Sequence, residues 1–226
     1  MLIQGLLAVS LSVTGAPAAA AQAKTDCAKV KCLALTFDDG PGKTTPALLD
    51  LLKKERVKAT FFLVGKAVEE RPAIARRAAR EGHAIGNHTY SHPSLPTLFD
   101  DDILDELAAA QEAIEKAVGR APAMFRPPYG HTDDRVRYLA AQEDLAEVLW
   151  TGTTLDWDLR DAKKIKAAVL RLAERDGVIL MHDTVPATVK AMPGIVKELK
   201  KRGYHLVTVP TLLRGKKLEA GVSYPE

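Results

Sequence analysis

Short apolar runs alternate with amphipathic stretches along most of the chain. Seven of these runs have the length and the β-branched or aromatic content of buried strands. They cover residues 33–37, 59–64, 83–86, 123–125, 146–150, 178–181 and 206–209. The alternation predicts an α/β fold in which helical crossovers connect the strands of a parallel sheet. It does not decide between an open sheet and a barrel.

Helical periodicity accounts for the stretches between these strands. The predicted helices cover residues 44–55, 72–80, 99–118, 133–142, 161–175 and 193–202. The helix over residues 99–118 has the clearest pattern, because apolar residues follow one face, acidic residues crowd its first turn and Gly119 ends it. The chain has no linker or internal repeat, and its 226 residues fit one domain.

The first 23 residues differ from the rest of the chain. They carry no charge before Lys24, and Ala21-Gln22-Ala23 offers a small-x-small cleavage pattern. We therefore expect a signal peptide over residues 1–23, a domain over residues 24–226 and a secreted or cell-wall-associated protein. The basic residue usual near the start of a signal peptide is missing. A start further upstream, an unusual leader and a disordered apolar tail are the alternatives.

Two cysteines, Cys27 and Cys32, follow the expected cleavage point. In an exported protein they predict a disulfide that holds the mature N-terminus beside the first strand. Two free thiols are the alternative, and a four-cysteine zinc site is excluded. The formal net charge of +3, without a basic run or an aromatic array, argues against a nucleic-acid partner.

Polar clusters come directly after predicted strands, where parallel α/β folds place their chemistry. Asp38 and Asp39 follow the first strand, and His88 and His92 follow the third. Two adjacent carboxylates point in different directions, so one can bind a cation while the other binds a water. Two histidines at this spacing would complete, with Asp39, a His-His-Asp ligand set that leaves a position open. A solvated Asx turn and a surface histidine pair are the ordinary alternatives.

Three further clusters follow later strands. Arg126 opens a rigid Arg-Pro-Pro-Tyr-Gly segment and can hold a carboxylate with its planar guanidinium. Asp156 precedes Trp157, and His182 ends the strand that contains Leu180. His182 is either a core histidine or a catalytic acid, which Asp156 would orient. Trp157 and Leu180 would wall a small apolar pocket.

These five clusters, in this order, resemble the motifs of the polysaccharide deacetylases with a NodB-like domain, the family-4 carbohydrate esterases. The resemblance runs from about residue 31 to residue 213. It implies a distorted (β/α)7 barrel and a metal-dependent hydrolase that removes N-acetyl groups from a polysaccharide or oligosaccharide of the chitin or peptidoglycan type, releasing acetate. We expect an acetylated glycan as partner, no lasting protein partner and a monomer. Zinc is the expected metal, and cobalt or another divalent ion is expected to substitute for it.

The resemblance also implies the roles of the site residues. Asp39, His88 and His92 would bind the metal, and Asp38 would be the general base, held in position by Arg126.

The remaining roles concern the oxyanion and the leaving group. Tyr129 would offer its backbone N–H to the oxyanion, and His182 would be the general acid, tethered by Asp156. Trp157 and Leu180 would contact the acetyl methyl group. An amide anion is a poor leaving group, so a general acid is needed for an N-acetyl substrate.

One position departs from the family pattern, since Thr153 stands where an acid is usual. An acetylxylan esterase acting on O-acetyl groups is the nearest rival function. A non-catalytic wall-binding module and a structural metal site are further alternatives. Among the other histidines, His83 and His205 are expected to be structural, and His131 is a candidate for the substrate groove.

Overall fold

Strand β1 lies at the centre of a curved parallel sheet. The computed structural model describes residues 25–213 and 218–225. The strands are β1 Cys32–Gly40, β2 Thr60–Leu63, β3 Ala84–Asn87, β4 Met124–Phe125, β5 Ala146–Val148, β6 Gly152–Thr153, β7 Gly177–His182, β8 His205–Val207 and β9 Ser223–Tyr224. Their order is β6-β7-β1-β2-β3-β4-β5-β9, and the start of β1 also pairs with β8.

Helices connect these strands. They are α1 Thr45–Lys54, α2 Gly65–Glu70, α3 Pro72–Arg80, α4 Asp100–Val118, α5 Asp134–Gln142, α6 Asp156–Leu159, α7 Ala162–Leu172, α8 Pro186–Lys201 and α9 Val209–Leu212. Alternate residues of β1 point to opposite faces of the sheet. Leu33, Leu35 and Phe37 belong to the main apolar core, which also contains buried residues of α1, α7 and α8. Thr36 and Asp38 are also buried, on the opposite face.

The predicted α/β fold is confirmed, and the sheet is a half-barrel. It has nine strands among the described residues rather than about seven, because β6 and β9 contain two residues each and leave no hydrophobic pattern to detect. The prediction that the helix before β8 begins at residue 193 is wrong. Pro186 occupies its first turn, and Pro193 lies inside α8 at an exposed position.

The N-terminal segment is fixed to the sheet by a disulfide. Cys27 and Cys32 form this bond, as predicted, and both residues are buried. The expected signal peptide lies outside the described residues. Within the described part of the chain, no helix combines the length and apolar character needed to cross a membrane.

Candidate active site

The ends of β1 and β7 place two acids and a histidine together. The two strands pair in register, with Thr36 beside Leu180 and Asp38 beside His182. Neighbouring side chains in register share a face of a parallel sheet, so these four residues point into the half-barrel. Asp39 follows Asp38 in a left-handed backbone conformation, with φ of 70°.

Three side chains meet at the carboxyl ends of these strands. Asp39 Oδ1 lies 3.4 Å from His88 Nε2 and 3.2 Å from His92 Nε2. The contacts are not aligned as hydrogen bonds, and Asp39 Oδ1 is buried without a hydrogen-bond partner among the described residues. Burial raises the pKa of Asp39, but the two imidazoles outweigh it and hold the pKa below its usual range. An anionic oxygen facing two imidazole nitrogens is a donor set that zinc sites use.

The orientation of His88 also fits a metal ligand. Its Nδ1 lies 2.6 Å from the carbonyl oxygen of Arg126. A carbonyl only accepts hydrogen bonds, so Nδ1 carries the proton and Nε2 presents its lone pair toward Asp39 and His92. One atom from each of the three residues lies within 4.8 Å of the others. The nitrogen and oxygen donors suit zinc and cobalt.

Glu106 on α4 shapes the loop that carries both histidines. Its Oε2 accepts hydrogen bonds from the backbone N–H groups of Tyr90 and Ser91, at 2.9 and 2.8 Å, and its Oε1 accepts one from the Ser91 hydroxyl. Glu106 was not predicted from the sequence as a site residue. The available signal was an acidic side chain three residues after Ile103, at the border of the apolar stripe of α4.

A buried ion pair holds Asp38. Arg126 Nη1 donates to Asp38 Oδ1 at 2.9 Å, and both side chains are almost fully buried. Burial lowers the pKa of the Arg126 guanidinium, and the Asp38 carboxylate opposes this change. Asp38 Oδ2 is left facing His88 Nε2 at 3.9 Å.

The remaining donors of Arg126 are bound to the scaffold. They reach the carbonyl oxygens of Val148 and Leu149 and the hydroxyl of Thr36, at 2.7 to 2.9 Å. The guanidinium also lies 4.1 Å from the ring centroid of Phe62. Arg126 therefore has little freedom, and it fixes the Asp38 carboxylate in one orientation.

A second carboxylate orients His182. Asp156 Oδ1 lies 2.8 Å from His182 Nδ1, and Asp156 Oδ2 accepts the His182 backbone N–H at 2.8 Å. The other ring nitrogen, Nε2, lies 3.8 Å from Asp39 Oδ2. Burial lowers the pKa of His182, but Asp156, with Asp39 and Asp38, raises it to about 9.

Tyr129 presents a free backbone donor. None of the hydrogen bonds among the described residues uses its N–H group. Its φ of 62° is unfavourable for a bulky residue, and its ring packs edge-on against His92, with the centroids 4.7 Å apart. In the part of the chain that the structure describes, nine non-glycine residues have a positive φ, and five of them lie in the site loops: Asp39, Thr89, His92, Tyr129 and Leu155. Such strain is concentrated where function requires a fixed geometry.

The two residues predicted to wall an apolar pocket have different environments. Leu180 is buried on the same face of β7 as His182, whereas Trp157 is 53% exposed on α6. Thr153, at the position where the resemblance implies an acid, accepts the Leu155 N–H at 3.4 Å. His131 contacts the Tyr129 ring, with the centroids 5.5 Å apart, at the border of the site.

Asp183 is a buried acid behind the site. Its carboxylate accepts a hydrogen bond from Thr45, and its Oδ1 has no hydrogen-bond partner among the described residues. Burial, together with Asp39 and Asp38, raises its pKa to about 7 against the effect of Thr45. The carboxylate lies so close to Gly40 that a Cβ at that position would be 2.5 Å from Oδ2. No role was predicted for Asp183 from the sequence.

Comparison with known proteins agrees with this geometry. The family model described as polysaccharide deacetylase matches residues 25–148. The chain belongs to this family. The match covers the strand exits that carry Asp38, Asp39, His88 and His92, and it ends before the His182 side of the site.

Individual relatives extend the similarity of this polysaccharide deacetylase beyond residue 148. The peptidoglycan-N-acetylglucosamine deacetylase of Bacillus cereus is 40% identical, over 82% of this chain and 69% of that protein. The peptidoglycan-N-acetylmuramic acid deacetylase PdaC of Bacillus subtilis is 40% identical over 83% of this chain, which spans 40% of the relative's length. A solved structure described as T48 deacetylase with substrate is 42% identical, with a TM-score of 0.85, and the match covers 88% of this chain and 99% of that chain.

Proposed function

We propose that the protein is a metal-dependent hydrolase that removes the N-acetyl group of N-acetylglucosamine units in peptidoglycan. The main support is the position of two groups beside the ligand set, each held by a charged partner. Asp38, bound to Arg126, lies beside His88, and His182, bound to Asp156, lies beside Asp39. A base and an acid flanking an electrophilic centre is the arrangement that amide hydrolysis requires. The names of the peptidoglycan deacetylases among the relatives support this choice of glycan.

The roles follow from which atoms are free. Asp39, His88 and His92 would hold the divalent ion, which we propose is zinc, and the ion would supply a Lewis acid that polarises the acetyl carbonyl. Asp38 Oδ2 is not bound by Arg126, so it would accept the proton of the attacking water. Tyr129 would donate its unused N–H to the oxyanion, a contribution of about 3 kcal/mol in comparable sites.

Departure of the sugar amine needs a proton. His182 Nε2 is free because Asp156 occupies Nδ1, so it would donate this proton to the leaving nitrogen. Leu180, on the same face of β7, would contact the acetyl methyl group, and Trp157 would close the pocket from α6. Neither contact is needed for proton transfer, so both would affect binding more than the chemical step.

Acetate release from N-acetylglucosamine oligomers and peptidoglycan fragments tests these roles. We expect Asp38→Asn and His182→Ala each to lower the rate by about 10²- to 10⁴-fold while the bound metal is retained. His88→Ala should instead lose the metal, which elemental analysis would detect. Asp101→Asn and His205→Ala, at exposed positions away from the site, are the matched controls. Near-normal activity in Asp38→Asn would exclude the assignment of the base.

Acetylxylan is the alternative substrate, because an alkoxide leaves more readily than an amine and the same groups can serve both. Side-by-side acetate release from acetylxylan, chitin oligomers and peptidoglycan decides between them. We further propose that the protein is exported and acts as a monomer. The disulfide supports an oxidising compartment, and all the proposed catalytic groups come from one chain.

A further inference from the structure

A groove rich in cationic side chains lies far from the carboxyl ends of the strands, where the proposed catalytic residues are. The groove has a volume of about 640 Å³ and runs between α1 and α3. We call it the α1/α3 groove, and six of its lining residues are cationic: Lys53, Arg56, Lys58, Arg76, Arg77 and Arg80. Glu81 is the one acid among the lining residues. The groove therefore carries a formal charge of +5, six cations less one acid, whereas the whole chain carries +3. The rest of the protein is net negative, at 3 − 5 = −2.

The groove and the proposed active site lie at opposite ends of the strands: the groove is at their amino ends and the site is at their carboxyl ends. Lys58 comes just before β2, and Glu81 comes shortly before β3. Asp39, by contrast, is at the end of β1, and His88 directly follows β3. Parallel strands share their ends, so a ligand in the groove cannot be the acetyl group that reacts.

Structural roles account for only some of these cations. Arg77 is paired with Glu81 and Asp50, and Arg76 donates to the carbonyl oxygen of Ala117 at the end of α4. Lys58 donates to the carbonyl oxygen of Glu81.

Basic residues in the last turns of α1 and α3 also stabilise the negative ends of those helices. This effect applies to Lys53, which also pairs with Glu81 at 3.9 Å, and to Arg80, but not to Arg56, which lies beyond α1. The side chains of Arg56 and Arg80 are exposed, and neither guanidinium makes a hydrogen bond or ion pair with another residue that the structure describes.

The backbone at Arg56 is a second, independent observation. Arg56 lies two residues after the end of α1. Its φ of 54° is in the left-handed region that favours glycine. Glycine occupies the equivalent position after α3 and α8, at Gly82 and Gly203. An arginine in this conformation is unfavourable for the helix end, as Asp144 is after α5, and this cost is a reason to look for a role of the Arg56 side chain outside folding.

We propose that the α1/α3 groove binds a linear phosphodiester polymer of the cell wall alongside the glycan substrate. Guanidinium groups bind phosphate through two parallel hydrogen bonds, and four of the six cations are arginines. The choice of a wall polymer rests on the proposed function. Contacts between the groove and this polymer would hold the protein against the wall, and they would leave the catalytic residues at the carboxyl ends of the strands free for the glycan.

Binding of fluorescent poly(glycerol phosphate), followed by anisotropy at several salt concentrations, tests the proposal with the full chain. Arg56→Glu/Arg80→Glu should weaken binding by about tenfold or more, and it should reduce the dependence of affinity on salt. Lys190→Glu/Lys197→Glu, at exposed positions on α8, makes the same change in net charge and should stay within about twofold of the wild type. Equal losses in the two double variants, or no binding by the wild type, would overturn the proposal.

Arg56→Gly separates binding from folding. Glycine relieves the left-handed backbone, so the melting temperature should rise while the affinity for the polymer falls. An increase in melting temperature with unchanged affinity would contradict a role for Arg56 in binding. Single-stranded DNA with the same number of phosphates is the competing polyanion, and tighter binding of DNA would overturn the assignment to a wall polymer.

Acetate release from a short N-acetylglucosamine oligomer should be unchanged in every groove variant. The deacetylation assay and the binding assay are independent, so failure of the proposed function and failure of the groove proposal give different results.

Discussion

Gly40 packs directly against a buried carboxylate and follows the proposed metal ligand Asp39. An added Cβ would lie 2.5 and 2.6 Å from the two Asp183 carboxylate oxygens. We expect Gly40→Ala to displace Asp39 and to weaken metal binding by about tenfold or more, as measured by competition with a chelating dye. Gly119→Ala is the control, because a Cβ there meets nothing within 4 Å. It should lower stability by about 1 kcal/mol through its positive φ and leave metal affinity unchanged.

His83 makes stability depend on pH. Burial, assisted by Lys58 and Arg77 against Glu81, lowers its pKa from 6.5 to about 4. The folded protein therefore disfavours the proton that the unfolded chain binds, so the contribution of His83 to stability is complete above pH 6.5 and falls between pH 6.5 and pH 4, by up to about 3 kcal/mol. Urea unfolding at several pH values should show a smaller fall in His83→Gln, which keeps an acceptor for the Ala59 N–H.

The matched control for this pH dependence is His205→Gln, at an exposed position. It should follow the wild-type dependence. If His83→Gln also does so, the buried histidine is not the cause of the loss of stability.

Single residues with local signals were predictable, and residues that act through distant contacts were not. Asp39, His88 and His92 come directly after strands, and the structure brings them together. Glu106 lies 15 residues from Ser91 along the chain, so its contact with the loop depends on how α4 packs. The partners of Arg126 at Val148 and Leu149 are likewise carbonyl oxygens, which carry no sequence signal.

Among the elements, α4 supports the proposed metal site through one side chain. Glu106→Gln removes a charged acceptor of two backbone N–H groups in the histidine loop. It should lower metal affinity by about tenfold without reducing helix content, because outer contacts of this kind orient the ligands. Isothermal titration with Zn²⁺ and far-ultraviolet circular dichroism measure the two quantities. Glu112→Gln, at an exposed position on the same helix, is the control. An unchanged affinity in Glu106→Gln would show that the loop keeps its shape without α4.

The sequence predicted long elements better than short ones. Runs such as residues 178–181 are apolar and bounded, so β7 was found where it lies. Helices α2, α6 and α9 have four to six residues each, which is too short for a helical repeat. Helix α8 began seven residues earlier than predicted because Pro193 was interpreted as a helix start, whereas the packing of Met192 and Ile195 in the core holds this segment helical.

At the scale of the whole molecule, the proposed metal would connect two parts of the half-barrel. Asp39 ends β1, whereas His88 and His92 belong to the loop between β3 and α4. An ion bound only by the folded chain stabilises it, by about 2.7 kcal/mol when its free concentration is 100 times Kd. Removal of the metal with a chelator should therefore lower the melting temperature, and added Zn²⁺ should restore it. His88→Ala should melt at the same temperature with and without Zn²⁺. If the chelator leaves the melting temperature of the wild type unchanged, the proposal of a bound ion is contradicted.

Strand β1 pairs with three other strands, and this affects where the sheet opens first. This strand contacts β2, β7 and β8 through backbone hydrogen bonds, whereas β6 and β9 pair on one side only. Local opening begins where few bonds must break, so amide protons of β9 should exchange with deuterium first and those of β1 last. The proposed base Asp38 and the proposed metal ligand Asp39 would then lie on the part of the backbone that is slowest to open. Brief openings at the borders of the sheet would leave catalysis intact.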